Sequence, residues 1–139
     1  MNTVDTNVLI YAYDTRDPDR QARAVELLKT LSDGILLWQV ACEFVAASRK
    51  LSSAGLTQAD AWSHLEDMQQ LLRLVTPSQA VLESARSIMG QHDFHFWDAM
   101  IYAACLEAGV ERIYSEDLPG ADISGLTVIN PFAHPDPTA

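Results

Sequence analysis

The sequence predicts an α/β fold with a central parallel sheet, and three observations carry that prediction. Short apolar runs of strand length alternate with longer segments of helical periodicity. With 139 residues, 48% of them hydrophobic, the chain suffices for one core without staples. Acidic residues recur just after the apolar runs, where open parallel sheets place their sites.

The elements follow in order. Residues 2 to 5 form a strand candidate running into a first helix, VLIYAY. Pro18 opens a second helix between Asp17 and Asp33, with Ala24, Leu27, Leu28 and Leu31 as its apolar face, and Gly34 ends it. ILLWQV is a continuous apolar run that suits a strand covered on both sides. ACEFVAASRKL continues as a helix stopped near Gly55.

Thr57 caps the next helix with Asp60 three residues on, and Ala61, Leu65, Met68, Leu71 and Leu72 supply its apolar series. LVTP suits a third strand. Ser78 then opens a helix that presents Val81, Leu82, Ala85, Ile88 and Met89 and closes at Gly90. FHFWDAMIYAACLEAG, from Phe94 to Gly109, is a further helix, RIYS a strand, and LTVI a last strand after Gly120 and Gly125. Residues 1–132 are expected to form the domain and 133–139 a flexible tail, because NPFAHPDPTA carries three prolines and no periodicity.

Composition bounds function. The start MNTVDTNVLIYAYD lacks the basic opening of a signal peptide, and no apolar run reaches membrane-spanning length. A cytoplasmic protein without membrane contact is the expectation. Cys42 and Cys105 stand far apart in apolar stretches and read as buried reduced thiols. The balance of 19 acidic against 9 basic residues gives −10, which argues against non-specific binding of a polyanion. Arg16, Arg20 and Arg23, like Arg49-Lys50, read as solvated helix faces before they read as a binding patch.

Four carboxylates sit where a site is expected: Asp5 after the first strand, Glu43 in the helix after the second, Asp98 at a helix start, and Asp117 after RIYS. Each alone is explained as a cap, a first-turn acid or a turn residue. Together they are harder to dismiss. If they converged to about 5 Å in an effective dielectric of about 20, each pair would cost roughly 3 kcal/mol. Such a group needs raised pKa values or a cation, and hard oxygen donors favour Mg²⁺ or Mn²⁺.

V-D-T-N-V-L-I at residues 4 to 10, Glu43 in A-C-E-F, F-W-D-A-M-I-Y-A-A at 96 to 104, S-E-D-L at 115 to 118 and V-I-N-P-F at 128 to 132 resemble, in this order, a PIN domain of the VapC toxin type. The resemblance spans almost the whole chain. It implies a PIN-like α/β/α sandwich and a Mg²⁺- or Mn²⁺-dependent endoribonuclease, the toxin of a toxin–antitoxin module. It also implies an RNA substrate, a small cognate antitoxin and a homodimer. Asp5, Glu43, Asp98 and Asp117 map onto the family's acidic quartet, with Asp5, Asp98 and Asp117 as metal ligands. Asn7 and Ser115 match its supporting polar positions. Glu116 lies beside Asp117, which leaves open which of the two faces the metal, and Asp122 is a further candidate neighbour.

Trp38 and Trp97 adjoin these positions; core packing is the simpler account and base stacking the alternative. His92 and His95 read as loop histidines. Two other functions compete: a non-catalytic interaction module, in which the acids are only caps, and another metal-dependent phosphohydrolase or phosphoacceptor domain. The latter generally needs a lysine near its acids, and neither Lys29 nor Lys50 follows a late strand.

Overall fold

Five short strands make one sheet: β1 (Asn2–Val4), β2 (Gly34–Leu37), β3 (Arg73–Val75), β4 (Arg112–Tyr114) and β5 (Thr127–Ile129). All are parallel, in the order β3-β2-β1-β4-β5. The structure, a computed structural model, describes residues 1–123 and 125–133. The expected tail therefore lies outside the described residues, apart from Ala133. The helices are α1 (Thr6–Tyr13), α2 (Pro18–Thr30), α3 (Trp38–Ala47), α4 (Gln58–Leu71), α5 (Gln79–Gln91) and α6 (Phe96–Ala108), with 3₁₀ turns at Ser48–Lys50 and Ser52–Ala54. This is the expected α/β/α sandwich. Among the described residues, no helix is long and apolar enough to cross a membrane.

The order of the strands decides where a site can form. The chain winds outward from β1 through β2 to β3, then crosses back through α5 and α6 to lay β4 on the other side of β1. The switch point is thus the crevice between the carboxyl ends of β1 and β4. The backbone closes it firmly, for Asp5 N–H donates to Tyr114 O at 2.9 Å.

Strand residues Val4, Ile35, Leu36, Leu37 and Ile113 are fully buried, as a sheet covered on both faces requires. Val8 and Leu9 of α1, Val40 and Phe44 of α3 and Ile101 and Tyr102 of α6 pack onto it. Fully burying side chains of this size contributes about 1.5–3 kcal/mol each. Phe94 stacks on Tyr102 with ring centroids 5.0 Å apart, and His92 stacks on Phe94 at 5.2 Å.

Several boundaries differ from the sequence reading. ILLWQV is a strand only as far as Leu37; Trp38 already opens α3, because an apolar run can serve a buried helix as well as a strand. β3 begins at Arg73 and ends before Thr76. Gly34 does not end α2, which stops at Thr30. A Cβ there would stand 2.5 Å from Leu72 Cδ2, so the glycine permits close packing at the start of β2. Gly90 lies inside α5, and α6 starts at Phe96, two residues later than expected. Gly109 does close α6, in the left-handed region at φ 79°. Leu71, Leu82 and Met89, expected on core faces, are exposed.

Candidate metal centre

Asp5 is held at both carboxylate oxygens. It follows β1 and caps α1, its Oδ1 accepting from Thr6 N–H at 2.8 Å. Its Oδ2 accepts from Ser115 Oγ at 2.8 Å, and the residue is 9% exposed. Ser115 follows β4 and is buried, and its Oγ in turn accepts from Leu118 N–H at 3.0 Å, Asp117 N–H at 3.2 Å and Asn7 Nδ2 at 3.3 Å. One hydroxyl thus joins the ends of both switch-point strands.

Asp5, Glu43, Asp98 and Asp117 line a single cavity of about 310 Å³, with Thr6, Asn7, Gln39 and Trp97 around them. Glu43 lies in α3 and accepts from Gln39 Nε2 at 3.2 Å, one helical turn earlier. The same amide donates to Trp97 O at 3.2 Å, which ties the start of α3 to the start of α6. Asp98 is in the first turn of α6, yet His95 is the N-cap and no side chain caps this helix. The capping explanation of Asp98 therefore fails on geometry.

Neighbouring acids point to different places. Glu116 accepts at Oε1 from Tyr11 Oη at 3.0 Å and at Oε2 from Arg20 Nε at 3.0 Å and a terminal guanidinium nitrogen at 2.6 Å. Arg20 also lies 5.2 Å from the Tyr11 ring centroid and 5.5 Å from that of Phe132. Asp117 instead lines the cavity, where its Oδ2 lies 3.5 Å from Asn7 Nδ2. Asn7 Oδ1 accepts from Glu116 N–H at 3.2 Å, so one asparagine steers both residues.

Burial raises the Asp5 pKa, and the charges of Asp117 and Asp98 add to it, against the hydrogen bonds from Ser115 and Thr6. Desolvation also raises Glu43, with Asp5 and Asp98 contributing, although its side chain is largely exposed and water screens the effect. Among the described residues the buried Thr6 hydroxyl beside the cavity has no hydrogen-bond partner at normal geometry.

All donors here are hard oxygens, which fits a divalent cation such as Mg²⁺ or Mn²⁺. Among the described residues no three acids are already arranged to hold one ion. The fit does not require it, because Mg²⁺ keeps several waters and binds through one or two carboxylates plus substrate phosphate.

Other expectations change. Asp122 borders a separate cavity with Glu111 and Arg112 and is no neighbour of the four acids. Trp38 and Trp97 are exposed, not core residues, and so is Cys42; only Cys105 is buried, and burial pushes its thiol pKa up. Arg16 pairs with Asp14 at 2.9 Å, and Arg23 donates to Pro131 O at 3.0 Å, so these cations serve the domain itself. His95 is the N-cap of α6. Gln39 and Thr6 went unnoticed in sequence. The Gln39–Glu43 spacing was the available signal, whereas Arg20 and Tyr11 lie too far from Glu116 along the chain for any local pattern to show.

The family model for the PIN domain matches residues 3–119, from β1 through the loop that carries Asp117. The chain belongs to the PIN domain family. No curated protein sequence matches it significantly. Among solved structures this PIN domain is similar to a toxin–antitoxin complex from Klebsiella pneumoniae, with TM-score 0.72 and 17% identity over 95% of this chain and 98% of the other. It is also similar to VapC20 of Mycobacterium tuberculosis, a toxin that cleaves the sarcin–ricin loop, with TM-score 0.68 and 18% identity over 84% and 90% of the two chains. FitAcB from Neisseria gonorrhoeae gives TM-score 0.69 and 19% identity over 96% and 100%. At such identities the likeness establishes a shared PIN fold, the one found in VapC-type toxins.

Proposed function

We propose that this PIN domain is a Mg²⁺- or Mn²⁺-dependent endoribonuclease, the toxin of a VapBC-type module. The observation that carries the reading is the opening of four carboxylates, from four separate elements, onto one cavity at the switch point of the sheet. Asp5, Asp98 and Asp117 would hold the ion, and Glu43 would complete the acidic lining. A bound divalent ion supplies charge stabilisation for the phosphoryl oxygens and lowers the pKa of the attacking water.

The chain's own residues do the rest. Ser115 and Thr6 N–H fix both oxygens of Asp5, so its carboxylate meets the ligand without reorganising. Asn7 orients the Ser115–Asp117 segment, and Arg20 with Tyr11 holds Glu116 away from the cavity. Glu43, its pKa raised by partial desolvation and by the charges of Asp5 and Asp98, lines the cavity where it can exchange a proton with water. The family and the toxin–antitoxin complex among its structural relatives support an antitoxin partner, and a homodimer belongs to the same proposal.

The test measures melting temperature with and without Mn²⁺ for wild type and Asp5→Asn, followed by incubation of both with structured RNA. The expected result is a Mn²⁺-dependent rise and RNA cleavage in wild type alone. Equal melting in both conditions and no cleavage above the variant would sink the reading.

A further inference from the structure

We propose that the cleft between Trp38 and Trp97 is a nucleobase subsite, which receives an unpaired base next to the scissile phosphodiester. This rests on the ribonuclease reading above. The two indoles lie in the first turns of α3 and α6, at the carboxyl edge of the sheet, and they are 48% and 63% exposed. Isolated surface aromatics need no explanation, but two that wall one apolar cleft do. The cleft measures about 280 Å³, with Leu37, Val75 and Met100 along it and the polar Thr76 and Ser78 at its side.

The Trp97 ring has a defined neighbour. Phe96 packs edge-on to Trp97, with centroids 4.9 Å apart and planes at 74°, and the Gln39 bond to Trp97 O links the two helix starts. Gln39 and Trp97 border the acid-lined cavity as well, so cleft and cavity adjoin. Trp97 is also the residue directly before Asp98.

The neighbouring chemistry selects the occupant. A ligand that spans both compartments offers an anion to the cation-binding acids and a flat apolar face to the indoles, and a nucleotide carries both. A chain of net charge −10 gains little from tracking RNA phosphates beyond the cation site, which gives base contacts a larger share of the affinity. Thr76 and Ser78 supply hydroxyls that can bond a base edge.

The test uses steady-state cleavage of an RNA stem–loop, its cut site mapped first, by wild type, Trp97→Ala, Trp97→Phe, Trp38→Ala and Trp62→Ala. Mn²⁺-induced melting shifts are measured alongside. Loss of a stacking partner is expected to raise KM about tenfold in Trp97→Ala. Phe should restore most of it, while Trp62→Ala, on the exposed face of α4, should match wild type. An abasic site beside the cut should reproduce the loss in wild type and add nothing to Trp97→Ala, with the Mn²⁺ shift intact throughout.

Unchanged KM in Trp97→Ala, or losses that simply add, would overturn the subsite. So would dissociation of a wild-type dimer or of a bound protein by Trp97→Ala, since the cleft would then be a protein interface. A wild type that responds to Mn²⁺ but cuts no RNA would instead remove the ribonuclease reading, and the subsite with it.

Discussion

The cavity has two walls built on different plans. The wall from β1 and β4 consists of Asp5, Asn7, Ser115 and Asp117, joined by hydrogen bonds of 2.8–3.5 Å that leave Asp5 little freedom. The wall from α3 and α6 carries Glu43 and Asp98, with a Gln39 hydrogen bond linking the two helix starts, and with two exposed indoles. The difference follows from position. Strand ends are pinned by ladders on both sides, whereas helix starts project beyond the sheet edge. A ligand therefore meets one prearranged wall and one adaptable wall.

Asp5→Asn is the strongest way to break this comparison. We expect cleavage to fall by about 100-fold or more and the Mn²⁺ melting shift to vanish. Asp98→Asn, on the open wall, should weaken the Mn²⁺ response while leaving metal-free stability within about 0.5 kcal/mol. Calorimetry in Mn²⁺ and EDTA distinguishes the two walls, and equal behaviour of both variants would erase the contrast.

Ser115→Ala probes the pinned wall alone. It leaves a buried carboxylate oxygen and two backbone N–H groups without their partner, a loss of about 2 kcal/mol, read from urea unfolding midpoints. Asp117→Asn and Glu116→Gln sharpen the picture within one loop. The first should weaken Mn²⁺ binding directly. The second should reduce stability by about 0.5–1 kcal/mol through the Arg20 pair, with a smaller effect on the metal.

The smallest expected effect is a pH dependence. Asp5 and Glu43 have folded pKa values raised above their ordinary 3.8 and 4.5, so the folded state binds protons more tightly than the unfolded one. Their contribution to stability is fully present below those ordinary values and is lost as pH rises through the folded ones. Asp14 and Asp60, lowered by hydrogen bonds from Arg16 and Thr57, act in the opposite sense. Unfolding midpoints from pH 3 to 7 should therefore show a downward component in wild type that Mn²⁺ reduces and that Asp5→Asn diminishes. A slope identical in all three conditions would show that burial of Asp5 carries no cost.

Much of the fold was legible because alternating apolar runs and helical periodicities report local burial. Capping residues also announced their helices, as with Thr57, whose box with Asp60 forms as expected. Trp38 marks where that reading fails: an unbroken apolar run suits a buried strand and a buried helix alike, and only the packing of Val40 and Phe44 against the sheet separates them. Leu71, Leu82 and Met89 fit helical apolar faces but lie beyond the strip that other elements cover.

Residue order alone specified a parallel α/β domain with acids at its strand ends, because backbone periodicity and strand-to-helix transitions are local properties. Whether those acids share a cavity, which of Glu116 and Asp117 turns toward it, and whether Trp38 and Trp97 are core or surface depended on the tertiary structure. Strand order brings Asp5 to Ser115 across 110 positions, and Arg20 reaches Glu116 across 96. Contacts at such separations are set by how the elements pack, and no local pattern encodes them.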